Sequence, residues 1–172
     1  MLKRDGLRIL TTGEISLAKE LYSFTVRYNE VWVHHGSYLP FNLQNKDTAM
    51  TPNGEIWFET NVYRDDFSMN PVDYQHLFLH EMMHVWQHQR GMMVRMRGAF
   101  SWAADYSYDL AKNTLSDYSL EQQACIVSDY WLLTKHRFYN YEYCIKYRDY
   151  NPHENTRVLI SKYKKILGCF PG

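Results

Sequence analysis

The chain has 172 residues, 45% of them hydrophobic, which is the make-up of one globular domain with a core of its own. Nineteen basic residues against nineteen acidic ones leave a formal net charge of zero, so the electrostatic footprint of a nucleic-acid binder and a polybasic membrane patch are both excluded. No apolar run is long enough for a membrane span or a signal peptide, and three cysteines without a C-x-x-C pair speak against a disulfide framework or an all-cysteine zinc site.

No repeat or Gly/Ser linker divides the chain, so residues 1–172 are expected to form one domain. Thr11-Thr12-Gly13-Glu14 reads as a capping box opening a helix, with Ile15, Ala18, Leu21, Tyr22 and Val26 as its apolar positions. From residue 28 to 59 the pattern changes to short β-prone runs at 31–33 and 56–58, broken by Pro40, Pro52, Asn53 and Gly54. A small antiparallel sheet is expected there, with residues 55–60 as its best strand. Asn70 as cap, Pro71 at the first helical position and Asp73 in the first turn start a second helix, which stops at Gly91. A tyrosine-rich loop is expected over 98–119. Ser119 and Gln122 then form a capping box for a helix with Leu120, Ala124, Val127 and Trp131 on one stripe. A last helix over 156–167 carries Val158, Leu159, Tyr163 and Ile166 opposite a lysine face. The class is α+β, predominantly helical with a small antiparallel sheet.

The second helix contains His80-Glu81-Met82-Met83-His84, an H-E-x-x-H. Residues four apart lie on one helix face a turn above each other, so both imidazoles can meet one Zn²⁺, and Glu81 is placed to take a proton from water as general base. His76 and His88 extend the four-residue spacing, but a straight helix separates His80 from His88 by about 12 Å, too far to share a metal. They read as a core-edge or solvated stripe. A third ligand must come from elsewhere, and the downstream acids are Asp105, Asp109, Asp117, Glu121, Asp129, Glu142, Asp149 and Glu154. Glu121 is the best placed of these, because the first turn of a well-capped helix fixes its direction.

The run from Leu79 to Gln87 (LHEMMHVWQ), followed by Leu120-Glu121-Gln122-Gln123-Ala124, resembles the zincin-like metallopeptidases associated with VgrG and Rhs proteins of bacterial type VI secretion. Met50-Thr51-Pro52-Asn53-Gly54-Glu55-Ile56 and Arg64-Asp65-Asp66-Phe67-Ser68 are similar to that family as well, so the resemblance runs over residues 11–135. It implies a gluzincin site, with His80, His84 and Glu121 as zinc ligands and Glu81 as base. It further implies a protein or peptide substrate, a VgrG or Rhs carrier, a cognate immunity protein, and type VI delivery from the producing cytoplasm into a target-cell periplasm. Two positions depart from the family pattern: Met83 replaces an expected Thr, and Cys125 replaces an expected acid.

The chemistry expected is amide hydrolysis, with Tyr106, Tyr108 and Tyr118 as candidate donors to the oxyanion by position, and with strand 55–60 as an edge able to pair with a peptide. Two rival readings are a non-catalytic zincin-like binding module of a VgrG or Rhs assembly and a cytoplasmic housekeeping peptidase.

Overall fold

The computed structural model describes residues 2–92 and 105–172. The first helix starts where side chains satisfy its free amide groups. Thr11 accepts from the Glu14 N–H and Glu14 accepts from the Thr11 N–H, so α1 (Thr12–Tyr22) opens with a complete capping box. The buried Glu14 carboxylate also takes the Arg8 guanidinium at 2.7 and 2.8 Å and the Phe67 N–H at 3.0 Å. With its oxygens so well satisfied it can sit in the core, and it ties β1 (Leu7–Ile9), α1 and the turn at Phe67 to one point. The helix ends at Tyr22, with Ser23 at φ 50°, so Val26 is buried from beyond it.

The sheet holds β1, β2 (Trp32–His35), β3 (Ala49–Met50) and β4 (Ile56–Phe58) in the order β1-β2-β4-β3. The β1–β2 and β3–β4 pairs are antiparallel, and neither β1 nor β3 was among the expected strands. The two strands that the sequence marked run parallel instead, with Val33 opposite Ile56. The connection explains this. Parallel neighbours need a crossover of a dozen or more residues, and the segment 36–55 supplies it while adding β3 at the rim. Thr51–Gly54 therefore turns β3 into β4, and β4 is interior rather than an edge. Val33, Ile56 and Phe58 are buried, while His34 and Trp57 stack on the other face at 3.7 Å.

α2 (Val72–Gln89) begins one residue later than expected. Pro71 has ψ 155°, which is not helical, so Pro71 is the cap residue, and the Asn70 amide donates to the Asp66 carbonyl at 2.6 Å. Its far end is the expected glycine stop. Gly91 has φ 74°, its N–H reaches the His88 carbonyl, and the Met92 N–H reaches the Gln87 carbonyl, which is a Schellman closure. Phe78, Leu79, Met82, Met83 and Val85 are buried around the helix. Tyr22 donates to the Leu79 carbonyl at 2.7 Å, and Phe67 joins Phe58 to Phe78 with ring separations of 4.2 and 5.5 Å. The helix that carries the histidines is thus held on several sides.

α3 (Leu120–Lys135) opens with the Ser119/Gln122 capping box and buries Ala124, Val127 and Trp131; Leu120 is only half-buried. α4 (Thr156–Leu167), capped by Asn155, packs Leu159, Tyr163 and Ile166 inward. The fold is α+β, mostly helical, with one small sheet. Among the described residues no helix is long and apolar enough to cross a membrane. The expected loop at 98–119 lies in part outside the described residues.

Candidate metal centre

α2 and α3 run antiparallel, and their facing side chains form a ladder. His76 Nε2 lies 2.8 Å from Asp129 Oδ1, His80 Nδ1 lies 3.8 Å from Cys125 Sγ, and His84 Nε2 lies 3.1 Å from Glu121 Oε2. Each rung steps forward four residues on α2 and back four on α3. At one end of this ladder His80, His84 and Glu121 come together, one donor atom of each within 4.8 Å of the others. Glu121 Oε2 is 3.5 Å from His80 Nε2 as well, and the two imidazoles are 5.1 Å apart at an interplanar angle of 80°. On its other side, His84 Nδ1 lies 2.9 Å from Gln87 Oε1. Both rings turn Nε2 toward the carboxylate and have Nδ1 engaged elsewhere.

The electrostatics follow from this closeness. Burial disfavours the charged His84 ring, but the hydrogen bond and charge of Glu121, with the charge of Glu81, outweigh it and raise His84 to about 9. Burial likewise opposes the Glu121 anion, and His80 and His84 overcome it, holding the carboxyl well below its usual range. Burial, then Asp129 and Glu121, push the Cys125 thiol up, so it stays a neutral SH and a weak partner for His80.

The donor set itself fits a divalent ion. A neutral His84 with Nδ1–H engaged presents a lone pair at Nε2, facing a carboxylate oxygen 3.1 Å away. Two acceptors at that distance repel unless a cation, either a proton or a metal, lies between them. Two imidazole nitrogens and one carboxylate oxygen are the ligand types of catalytic zinc sites that keep one position open.

Glu81 is buried next to His80 and accepts from Thr51 Oγ1 at 2.6 Å on Oε2; among the described residues Oε1 has no protein partner. Tyr106 is half-buried with its ring 6.3 Å from that of His80. Burial first, then the charges of Glu121, Glu81 and Cys125, push its hydroxyl far up, so it keeps its proton. The other two tyrosines are occupied elsewhere. Tyr108 donates to Asp129 at 2.6 Å, and Tyr118 donates to the Asp109 carbonyl at 2.9 Å.

His76 is buried on Asp129, away from the cluster, and His88 is exposed with its ring against Gly54, where an added Cβ would meet it at 2.5 Å. Asp117 caps Thr114, and Glu154 pairs with Lys162. Sequence reasoning passed over Gln87 and Thr51. Gln87 sits three residues after His84 on one helix face, a signal that was there to be read. Thr51 reaches Glu81 only through the sheet and left no local trace.

No protein-family model matches the chain. It is 42% identical over 133 residues to the type VI secretion system spike protein VgrG2b of Pseudomonas aeruginosa, a match covering 73% of this chain and 13% of that protein's length. Among solved structures it is similar to the effector domain of Pseudomonas aeruginosa VgrG2b. That likeness has a TM-score of 0.68 and 38% identity over 82% of this chain and 84% of that domain. At that identity, over that share of both chains, the chain belongs to the family of the VgrG2b effector domain.

Proposed function

We propose that the chain is a zinc-dependent metallopeptidase, formed as one domain over residues 1–172, that acts as an antibacterial effector of type VI secretion. The observation that carries the enzymatic half is the convergence of His80, His84 and Glu121 beside a Glu81 already gripped by Thr51. Kinship with a VgrG2b effector domain supports type VI secretion and a VgrG carrier; an Rhs carrier as the alternative, a cognate immunity protein and a target in the rival's periplasm are further parts of the proposal.

His80, His84 and Glu121 are the proposed zinc ligands. Zinc, when bound, supplies a Lewis acid that polarises the scissile carbonyl and makes water more acidic. Glu81 takes the proton of the attacking water on Oε1, since Thr51 occupies Oε2, and passes it to the leaving amine. The Tyr106 hydroxyl donates to the carbonyl oxygen as negative charge grows there. β3 is a rim strand whose chain continues directly into Thr51, so an extended peptide pairing with its open edge lies alongside Glu81.

Glu81→Gln tests the proposal. The variant is expected to keep its zinc by mass spectrometry and its fold by circular dichroism, while losing peptide cleavage and toxicity in the periplasm of a sensitive cell. A variant as toxic as the wild type refutes the catalytic reading. Equal toxicity from the cytoplasm and the periplasm refutes the periplasmic target.

A further inference from the structure

We propose that Gln87 is a positioning residue: it fixes which nitrogen His84 presents to the cluster and locks α2 to the start of α3, where Glu121 sits. The inference rests on the metal reading above. Gln87 is fully buried, and its amide has three close partners. Nε2 lies 3.1 Å from the Leu120 carbonyl and 3.1 Å from Gln123 Oε1, while Oε1 lies 2.9 Å from His84 Nδ1.

The orientation of this amide follows from chemistry. A backbone carbonyl has no proton to give, so the Gln87 atom facing Leu120 must be the NH₂ group. Its oxygen then faces His84. An amide oxygen only accepts, so His84 must carry a proton on Nδ1, and Nε2 is the nitrogen left for a cation. The carbonyl that decides this belongs to the residue immediately before Glu121. Gln123, in turn, donates to the Tyr118 carbonyl at 2.9 Å and is therefore fixed from its far side. One side chain thus sets the protonated nitrogen of one proposed ligand and anchors the backbone of another. An aliphatic side chain of similar length fills the space and does neither.

The experiment compares wild type with Gln87→Met, purified without metal. Zinc affinity is measured by chelator competition, and the His84 imidazole of the zinc-loaded proteins is followed by ¹⁵N NMR. The expected result is a loss of zinc affinity of about 10- to 100-fold in the variant, the usual effect of removing such an outer partner. The His84 ring should also lose its single Nδ1–H form. A merely structural role lowers the melting temperature and leaves the imidazole spectrum of the zinc-loaded protein unchanged. Wild-type affinity and an intact Nδ1–H signal in Gln87→Met overturn the inference while the metal reading stands. A wild type that takes up no zinc overturns the metal reading and this inference with it. Should Gln87→Met not fold, the zinc-loaded wild type decides alone: a proton on Nδ1 supports the inference, and a proton on Nε2 refutes it.

Discussion

Titrating zinc into the metal-free chain at pH 7 should displace a proton from His84, and the number follows from the geometry of the pair. Burial alone would lower the affinity of His84 for a proton, yet Glu121 at 3.1 Å raises it from 6.5 to about 9. A ring with that value is almost fully protonated at pH 7, so binding should release about one proton per zinc. Apparent affinity should rise by about one decade per pH unit from pH 6.5 toward 9, leaving the value at pH 7 about a hundredfold below its limit. The metal-free chain carries the same signature in its stability. The contribution of the raised His84 is full below 6.5 and is lost as pH rises through about 9. That of the lowered Glu121 is present above 4.5 and is lost as pH falls. The pair should therefore stabilise the metal-free protein most between pH 4.5 and 6.5. Calorimetry in buffers of unequal ionisation enthalpy counts the protons directly. No proton released at pH 7, together with an affinity flat from pH 6.5 to 8.5, would refute the pairing of His84 with Glu121.

Three further outcomes are expected. Glu121→Ala should abolish tight zinc binding by mass spectrometry; retained zinc would mean that a different acid supplies the third ligand. Tyr106→Phe should lower kcat by about 10²- to 10³-fold, as loss of an oxyanion donor does, with little change in KM, so an unchanged kcat removes Tyr106 from the reaction. Asp129→Ala strips partners from His76, Tyr108 and the Lys146 N–H in the core. It should cost about 3–5 kcal/mol in urea unfolding, and a loss under about 1 kcal/mol would show that those groups find other partners.

What the sequence disclosed was mostly local. Both capping boxes, the Gly91 stop and the four-residue spacing of His80 and His84 are short-range features whose physics is complete within one helix turn. The meeting of Glu121 with the two imidazoles was legible because a capped first turn leaves a side chain little freedom of direction. The sheet was harder. β1 spans three residues with Leu7 and Ile9 facing outward, too short to show a period, and the parallel β2–β4 pairing depends on a crossover path that no local pattern encodes. The partners of the site were hidden for the same reason. Thr51 meets Glu81 across thirty positions of chain, and Asp129, one of several acids with equal standing in the sequence, is claimed by His76 only once α2 and α3 are packed.

The stepwise pairing of those two helices also acts as a vernier. Because the histidines and their partners repeat at one interval, α3 could slide by a turn and still find a histidine opposite every partner, with Glu121 moved off His84. The Asp129 rung forbids it. Shifted by a turn, this fully buried carboxylate would meet another imidazole but leave the tyrosine hydroxyl and the Lys146 amide that also bond it. A buried donor left without its acceptor costs about 1–3 kcal/mol. Alignment of the proposed metal ligands is thereby enforced from the rung beyond His80, by a residue that is not one of them.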